Sequence, residues 1–196
     1  EPLARSLRAQ PLTFDLTHAS TPGEVQRQLD SMAIPLDVVV HNAGITRDKS
    51  FKNMTDDQWT QALEVNLEAV LALNDALVNE GLADDGRVIL MSSIVGIGGN
   101  FGQSNYAAAK AGLIGLTAAL APTLGHRGIS VNAIAPGFID TAMTQAMPAA
   151  VRALSAGSNC LKQAGLPHDV AQAATFLASP GAVGVTGSVL RVCGGH

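Results

Sequence analysis

Short runs of β-branched and apolar residues alternate along the chain with longer segments whose apolar residues recur at helical spacing. Each short run ends in a polar residue, a glycine or a proline, as strands commonly do. Near-continuous apolar strands that alternate with helices indicate a parallel sheet covered on both faces, so the pattern predicts one doubly wound α/β domain. The predicted strands are 11–16 (PLTFDL), 36–41 (LDVVVH), 86–93 (GRVILMSS), 129–136 (ISVNAIAP) and 188–193 (SVLRVC). The predicted helices are 22–33, 56–80, 103–125 and 167–178.

The residues at the ends of the predicted strands are small or polar. In a doubly wound sheet, ligands bind beyond the carboxyl ends of the strands. The strands end there in Asp15, in 41–44 (HNAG), in 92–93 (SS) and in 136–137 (PG). Small residues let a ligand approach the backbone closely, and short polar groups orient it. We therefore expect a binding site along this rim.

Composition and charge narrow the class of protein. The chain has 196 residues, of which 47% are hydrophobic, and this is enough for one domain with a full core. A net charge of −4 gives no general basis for nucleic-acid binding. No uninterrupted apolar run reaches the roughly 20 residues that a membrane helix needs. Cys160 and Cys193 lack the spacing of a metal site, and two unpaired thiols favour the cytoplasm. We expect a cytoplasmic protein with no metal, nucleic-acid or membrane partner.

Residues 103–112 (QSNYAAAKAG) contain the only tyrosine of the chain, four residues before a lysine. If the segment is helical, Tyr106 and Lys110 lie one turn apart on the same face. An opposite charge at about 4–6 Å lowers a pKa by roughly 1–3 units, so we expect Lys110 to lower the pKa of Tyr106. The Ser93 hydroxyl can bond the oxygen of a carbonyl that is being reduced. Taken singly, the three are also explained as a packed tyrosine, a surface lysine and a strand-end serine.

Five motifs follow one another along nearly the whole chain. In this order and at these spacings they resemble the short-chain dehydrogenase/reductase family, which has a Rossmann-like fold. The segments 44–48 (GITRD) and 102–112 (GQSNYAAAKAG) are further similar to the 3-oxoacyl-thioester reductases of fatty-acid synthesis. The five motifs are HNAG (41–44), Asn66 within EVNL, SSIVG (92–96), YAAAK (106–110) and NAIAPGFIDT (132–141).

The resemblance implies a role for each of four catalytic residues. Tyr106 would donate a proton to the substrate carbonyl while a nicotinamide delivers hydride. Lys110 would lower the pKa of the tyrosine and hold the nicotinamide ribose, and Ser93 would orient the carbonyl. Asn66 would position a water that links Lys110 to solvent, although a polar residue on a helix face explains it equally well without the family.

The implied cofactor is NADP(H) or NAD(H), with NADP(H) favoured. For Asp15, a turn or N-cap aspartate is an alternative to contact with the adenine. The implied cofactor-binding residues are Asp15, Leu16, Asn42, Ala43, Gly44, Tyr106, Lys110, Pro136, Gly137, Ile139 and Thr141.

The resemblance also divides the chain into parts. Residues from about 142 to 165 are irregular in pattern and match the mobile substrate lid of the family. The first two strands of the family and its Gly-rich phosphate turn have no counterpart here. We therefore interpret 1–196 as the C-terminal portion of one dinucleotide-binding domain, and expect roughly 40–60 further residues upstream. Candidate acyl-chain contacts in the lid are Met143, Met147, Leu154 and Leu161, and an ordinary exposed loop is the alternative.

The implied activity is NAD(P)H-dependent reduction of a 3-oxoacyl thioester to the 3-hydroxyacyl thioester. The thioester carrier is coenzyme A or acyl carrier protein. Asp84 and Asp85 stand where carrier-dependent members tend to carry basic residues, although Arg127 keeps a second basic position. Because acyl carrier protein is acidic, the two aspartates favour coenzyme A.

Two other functions stay open from the sequence. The protein could act on another alcohol or ketone, such as a steroid, sugar or polyol, or it could be a non-catalytic relative that serves as an assembly subunit. Apolar residues occupy more than one face of helices 56–80 and 103–125, which indicates a second packing partner. With the resemblance, this predicts a homodimer or homotetramer.

Overall fold

The computed structural model describes residues 9–32 and 35–196. The strands within these residues are β1 (Leu36–His41), β2 (Leu82–Met91), β3 (Ser130–Pro136) and β4 (Val189–Val192). All of them run parallel, and each pairs with the next along the chain, so the sheet has the order β1-β2-β3-β4. This sheet with its flanking helices confirms the predicted Rossmann-like α/β fold.

The helices fall close to the predicted segments. The 56–80 segment is two helices joined by a π turn at Glu64–Glu68. Its first turn is capped by Thr55, whose hydroxyl accepts a hydrogen bond from the Gln58 backbone while the Gln58 side chain returns to the Thr55 N–H. The helices are α1 (Thr21–Met32), α2 (Asp56–Leu63), α3 (Ala69–Glu80), α4 (Val95–Gly98), α5 (Ser104–Leu124), α6 (Ala142–Gln145), α7 (Ala149–Ala156) and α8 (Pro167–Ala178).

The core lies on both faces of the sheet. Alternate residues of the central strands point to opposite faces, so Val88 and Leu90 join a cluster with α1, α3 and α5. Ile89 joins a second cluster with Ile134 and α8. Each fully buried side chain of this size contributes roughly 1.5–3 kcal/mol of hydrophobic stabilisation. The two clusters explain why apolar residues run almost continuously through the centres of the strands instead of at every second position.

Helix α5 is long and apolar enough, together with the 3₁₀ turn that follows it, to cross a membrane by length and composition. The expectation that the chain has no such segment is therefore wrong for length and mean hydropathy. The buried side of α5, however, carries the polar residues Asn105, Lys110 and Thr117, all at most 3% exposed and all hydrogen-bonded within the protein. These contacts make α5 a core helix that packs on the sheet.

The prediction of a strand at 11–16 is wrong. Among the described residues, this segment pairs with no strand, and extended backbone without a hydrogen-bonded neighbour is not a stable sheet element. The chain turns instead at Asp15, whose carbonyl accepts a hydrogen bond from the His18 N–H at 3.1 Å. Thr21 then begins α1. None of residues 11–16 is buried, so the apolar content of PLTFDL indicated neither burial nor pairing correctly.

Candidate active site

A pocket of about 190 Å³ opens at the carboxyl ends of β1, β2 and β3. Its walls come from the loop after β1, the turn after β2, the first turns of α5 and the end of β3. The structure therefore brings Ser93, Tyr106 and Lys110 to one pocket. The lining residues are Asn42, Gly44, Ile45, Thr46, Met91, Ser92, Ser93, Tyr106, Lys110, Pro136 and Gly137.

The turn after β2 holds Ser93 against α5. Ser92 Oγ donates to the Lys110 carbonyl at 2.8 Å, and the Val95 N–H donates to Ser93 Oγ at 3.1 Å. Only a glycine at position 96 lets the turn after β2 lie this close to α5, because a Cβ there would lie 2.7 Å from the Lys110 carbonyl carbon. The Ser93 hydroxyl thus accepts one backbone hydrogen bond, which leaves its own proton for another acceptor.

Lys110 is a buried cation beside the pocket, with only 3% of its surface exposed. Its Nζ donates to the Met91 carbonyl at 2.7 Å and lies 5.5 Å from the centre of the Tyr106 ring. Gly44 leaves room for it, since a Cβ there would come within 3.4 Å of Nζ. Burial disfavours the charged form and lowers the pKa of Lys110 to about 8.

The pKa of Tyr106 is raised, chiefly because burial disfavours the tyrosinate. The negative charge of Asp48 also raises this pKa, whereas the Ser93 hydroxyl lowers it. The expectation that Lys110 lowers the pKa below the ordinary value is therefore wrong for this structure. The physical reason is that loss of hydration outweighs the other influences, and that the ammonium points to the Met91 carbonyl. The phenol is held in its protonated form.

Asn66 lies in the π turn and is completely buried. Its Nδ2 donates to the Ile45 and Ala62 carbonyls at 2.9 and 2.7 Å, and its Oδ1 accepts from the Ile45 N–H at 3.1 Å. A Cβ on Gly44 would lie 2.7 Å from Oδ1, so only glycine fits there. The amide of Asn66 therefore fixes the loop after β1 (residues 42–50), part of which lines the pocket and which we call the pocket loop. Its position in a π turn is typical of functional sites, where such turns are frequent.

Four of the residues predicted to bind the cofactor, apart from the tyrosine and lysine, line the pocket: Asn42, Gly44, Pro136 and Gly137. Ala43 lies between the first two and is exposed. Gly137 packs on the end of β4, where a Cβ would lie 2.8 Å from the Cα of Cys193.

The other predicted cofactor residues do not line this pocket. The Asp15 carboxylate accepts hydrogen bonds from the Thr17 N–H and hydroxyl, which lower its pKa, and so behaves as a turn aspartate. Leu16 follows in the same turn. Thr141 caps α6 through the Thr144 N–H, and Ile139 forms an isolated parallel bridge with Gly165.

The predicted lid is more regular than its pattern suggested, because it contains α6 and α7. The bridge at Gly165 closes its base, with the Asp140 N–H donating to the Gly165 carbonyl at 2.9 Å. Met147, Leu154 and Leu161 are 36%, 76% and 64% exposed and lie outside the pocket lining. The side chain of Met143 lies outside the part of the chain that the structure describes.

Asn105 is a buried site residue that the sequence did not predict. Its side chain connects the start of α5 to α2 and to the loop after β1. The available signal was an asparagine, a poor helix former, at the third position of the predicted helix 103–125 and directly before Tyr106.

The guanidinium of Arg127 forms an ion pair and hydrogen bonds within the protein, so it is not a free basic group on the surface. Its Nε forms an ion pair with Asp84 at 2.8 Å, and its two terminal nitrogens donate to the Val78 and Leu82 carbonyls. Asp85 is exposed and has a positive φ of 60°. Of the two aspartates near the start of β2, Asp84 is therefore paired.

Comparison with known proteins agrees with this geometry. Residues 1–196 match the family model described as Enoyl-(Acyl carrier protein) reductase. The chain is 46% identical over 186 residues to the 3-oxoacyl-[acyl-carrier-protein] reductase FabG of Pseudomonas aeruginosa, covering 94% of this chain and 73% of that protein. It is 43% identical over 185 residues to that of Vibrio harveyi and 44% identical over 188 residues to that of Chlamydia trachomatis, covering in each case 94% of this chain and 76% of the relative.

The chain therefore belongs to the short-chain dehydrogenase/reductase family. Members of this class are NAD(P)-dependent oxidoreductases that interconvert alcohols and carbonyl compounds. The predicted family is confirmed.

Proposed function

We propose that this protein reduces a 3-oxoacyl thioester to the 3-hydroxyacyl thioester in fatty-acid synthesis, with NAD(P)H as the reductant. The observation that carries the proposal is that Ser93, Tyr106 and Lys110 meet at one pocket. The likeness to relatives named 3-oxoacyl-[acyl-carrier-protein] reductase, at 43–46% identity, supports the substrate class.

Tyr106 is the proton donor in this proposal. Burial raises the pKa of its phenol, so the group carries its proton at neutral pH, which is the state that a carbonyl reduction requires. Ser93 accepts a hydrogen bond from the Val95 N–H, so its hydroxyl hydrogen can be donated in a hydrogen bond to the same carbonyl oxygen. Lys110 places its Nζ 5.5 Å from the ring centre, and its charge would offset part of the cost that burial imposes on the tyrosinate left after proton transfer, without bringing the pKa of Tyr106 below its ordinary value.

The donor set of the pocket fits a nicotinamide nucleotide. Asn42 offers an amide and the Lys110 ammonium offers hydrogen-bond donors to ribose hydroxyls, while Gly44 and Gly137 line the pocket without adding side chains to it. When bound, such a cofactor supplies the hydride. We propose NADP(H) over NAD(H), with Ala43, Ile139 and Thr141 as further contacts and Asp15 and Leu16 near the adenine.

For the thioester carrier, we propose that coenzyme A serves at least as well as acyl carrier protein. Arg127 directs its guanidinium to Asp84 and to two carbonyls, so its charge is largely compensated. Asp85 adds an exposed negative charge beside Asp84, near the start of β2. An acidic carrier protein would meet little attraction there, whereas coenzyme A does not need this surface. The segment 142–165 would cover the acyl chain as a lid.

We further propose that two or four copies assemble through α3 and α5. The exposed side of α5 carries small residues at helical spacing, and Leu71 of α3 is 40% exposed, so the two helices offer a surface for close packing. A cytoplasmic location agrees with two free thiols. The small residues are Ala108, Ala111, Gly115, Ala118 and Ala119.

The test is the Tyr106→Phe substitution in the full-length protein, assayed by NADPH and NADH oxidation with acetoacetyl-CoA. Only the hydroxyl is lost, so the fold should persist while kcat falls by about 10²–10⁴-fold, the usual contribution of general acid catalysis. Retention of more than about a tenth of kcat would exclude Tyr106 as the proton donor. Thermal unfolding of both proteins controls for a loss of folded enzyme.

A further inference from the structure

Two completely buried asparagines hold the pocket loop after β1. Asn66 reaches this loop from the π turn and bonds both the N–H and the carbonyl of Ile45. Asn105 reaches it from the start of α5 and donates to the Arg47 carbonyl at 3.1 Å. Both also donate to α2, at the Ala62 and Gln58 carbonyls, which are one helical turn apart.

All the donors of the Asn105 amide are used. Its Nδ2 donates to the Arg47 and Gln58 carbonyls, at 3.1 and 2.8 Å, and its Oδ1 accepts from the Tyr106 N–H at 2.8 Å. That N–H is one of the first donors of α5, which the helix itself cannot satisfy. One amide therefore joins the pocket loop, α2 and the backbone of the proposed proton donor.

Two further hydrogen bonds connect the same loop to the residues before Tyr106. The Lys49 N–H donates to the Gly102 carbonyl at 2.8 Å, and the Gln103 side chain donates to Asp48 at 2.9 Å. Asn105 is the buried member of this set, so water cannot replace its hydrogen bonds as it can at the surface.

We propose that Asn105 is a positioning residue, which sets the distance between Tyr106 and the pocket wall formed by Ile45 and Thr46. It does not touch the reacting atoms. A shift of about 1 Å between a catalytic group and a bound substrate costs up to about 10²-fold in rate, so loss of this connection lowers kcat. The kinetic part of the proposal rests on the proposed function.

The test compares Asn105→Ser with Asn53→Ser in the full-length protein. Asn53 is exposed in the turn after the same loop and serves as the matched control. For Asn105→Ser we expect kcat to fall about 10–100-fold while KM for the nicotinamide cofactor changes by less than about 3-fold. Asn53→Ser should match the wild type. A folded Asn105→Ser protein with kcat within about 3-fold of the wild type would overturn the proposal.

A second readout needs no substrate, so it stays valid if the proposed reaction is wrong. Ionisation of Tyr106 is followed by ultraviolet difference absorbance, with Tyr106→Phe subtracted to remove any other tyrosine of the full-length protein. In Asn105→Ser the titration midpoint should fall towards that of an exposed tyrosine, because the phenol loses its fixed, partly buried position. A lower melting temperature with an unchanged midpoint and unchanged kcat would assign Asn105 a structural role alone.

If Asn105→Ser does not fold, Gln103→Ala breaks the outer hydrogen bond to Asp48 without emptying a buried site. We then expect a smaller fall in kcat, about 3–10-fold, again with little change in KM for the cofactor. An unchanged kcat in folded Gln103→Ala would then count against the proposal.

Discussion

Replacement of Lys110 by methionine tests the electrostatics of the site without reference to substrate. In the folded chain, burial lowers the pKa of Lys110 from 10.5 to about 8. In the unfolded chain the ammonium is hydrated and regains its ordinary pKa. A difference of this size corresponds to about 3 kcal/mol, which opposes folding wherever both states are protonated.

The sign of the pH dependence follows from the lowered pKa. Between about pH 8 and pH 10.5 the unfolded state binds more protons at Lys110 than the folded state, so the free energy of unfolding rises with pH there. From about pH 7 to about pH 9.5, this one group contributes a rise of about 2 kcal/mol. The raised pKa of Tyr106 acts in the opposite direction, but only above its ordinary value of 10.

The assay is urea unfolding of wild type and Lys110→Met, without cofactor, near pH 7 and near pH 9.5. The wild type should gain about 2 kcal/mol more than the variant between the two pH values. Effects that do not depend on pH, such as loss of the hydrogen bond to the Met91 carbonyl, cancel in this comparison. The exposed Lys52 provides the control, and Lys52→Met should follow the wild type. Equal pH dependence in wild type and Lys110→Met would refute the lowered pKa of Lys110.

Two other predictions concern partners. Asp85→Asn removes an exposed charge and keeps a residue that tolerates the positive φ. It should raise kcat/KM for a 3-oxoacyl carrier-protein substrate more than for the coenzyme A thioester, and the gain should shrink as salt rises. An equal effect on both thioesters would exclude the start of β2 from carrier docking. Gly115→Arg adds a charged side chain where no atom of the protomer lies within 4 Å, so it should dissociate the assembly into monomers, as measured by light scattering. Gly125→Arg, which is also in open space, should leave the assembly intact. An unchanged mass for Gly115→Arg would place the interface elsewhere.

Hydrophobic pattern was sufficient to predict much of the fold. Of the five strands that it indicated, four are present as parallel strands, because burial on both faces makes the central residues of each strand almost continuously apolar. The segment 11–16 has a similar composition but is not buried and forms no strand, since composition does not report whether a pairing neighbour is present.

The candidate site was predictable where it depends on spacing along one helix. Tyr106 and Lys110 reach one pocket because they are one turn apart. The direction of the Tyr106 pKa was not predictable, because it depends on how much water the folded chain removes from the phenol. Asn105 was missed for a related reason: its partners Arg47 and Gln58 lie 58 and 47 residues away in sequence.

Substrate preference is the most direct test of the central claim. The measurement is kcat/KM of the full-length wild-type enzyme, with NADPH and NADH, for acetoacetyl-CoA and the matching carrier-protein thioester, beside a steroid ketone, a keto sugar and a simple ketone without a thioester. We predict that the 3-oxoacyl thioesters are reduced with a kcat/KM at least about 100-fold above the other carbonyl compounds. The proposed 3-oxoacyl thioester reductase activity would be contradicted by either of two results. One is equal or better reduction of a carbonyl compound without a thioester, and the other is no oxidation of NADPH or NADH with any 3-oxoacyl thioester.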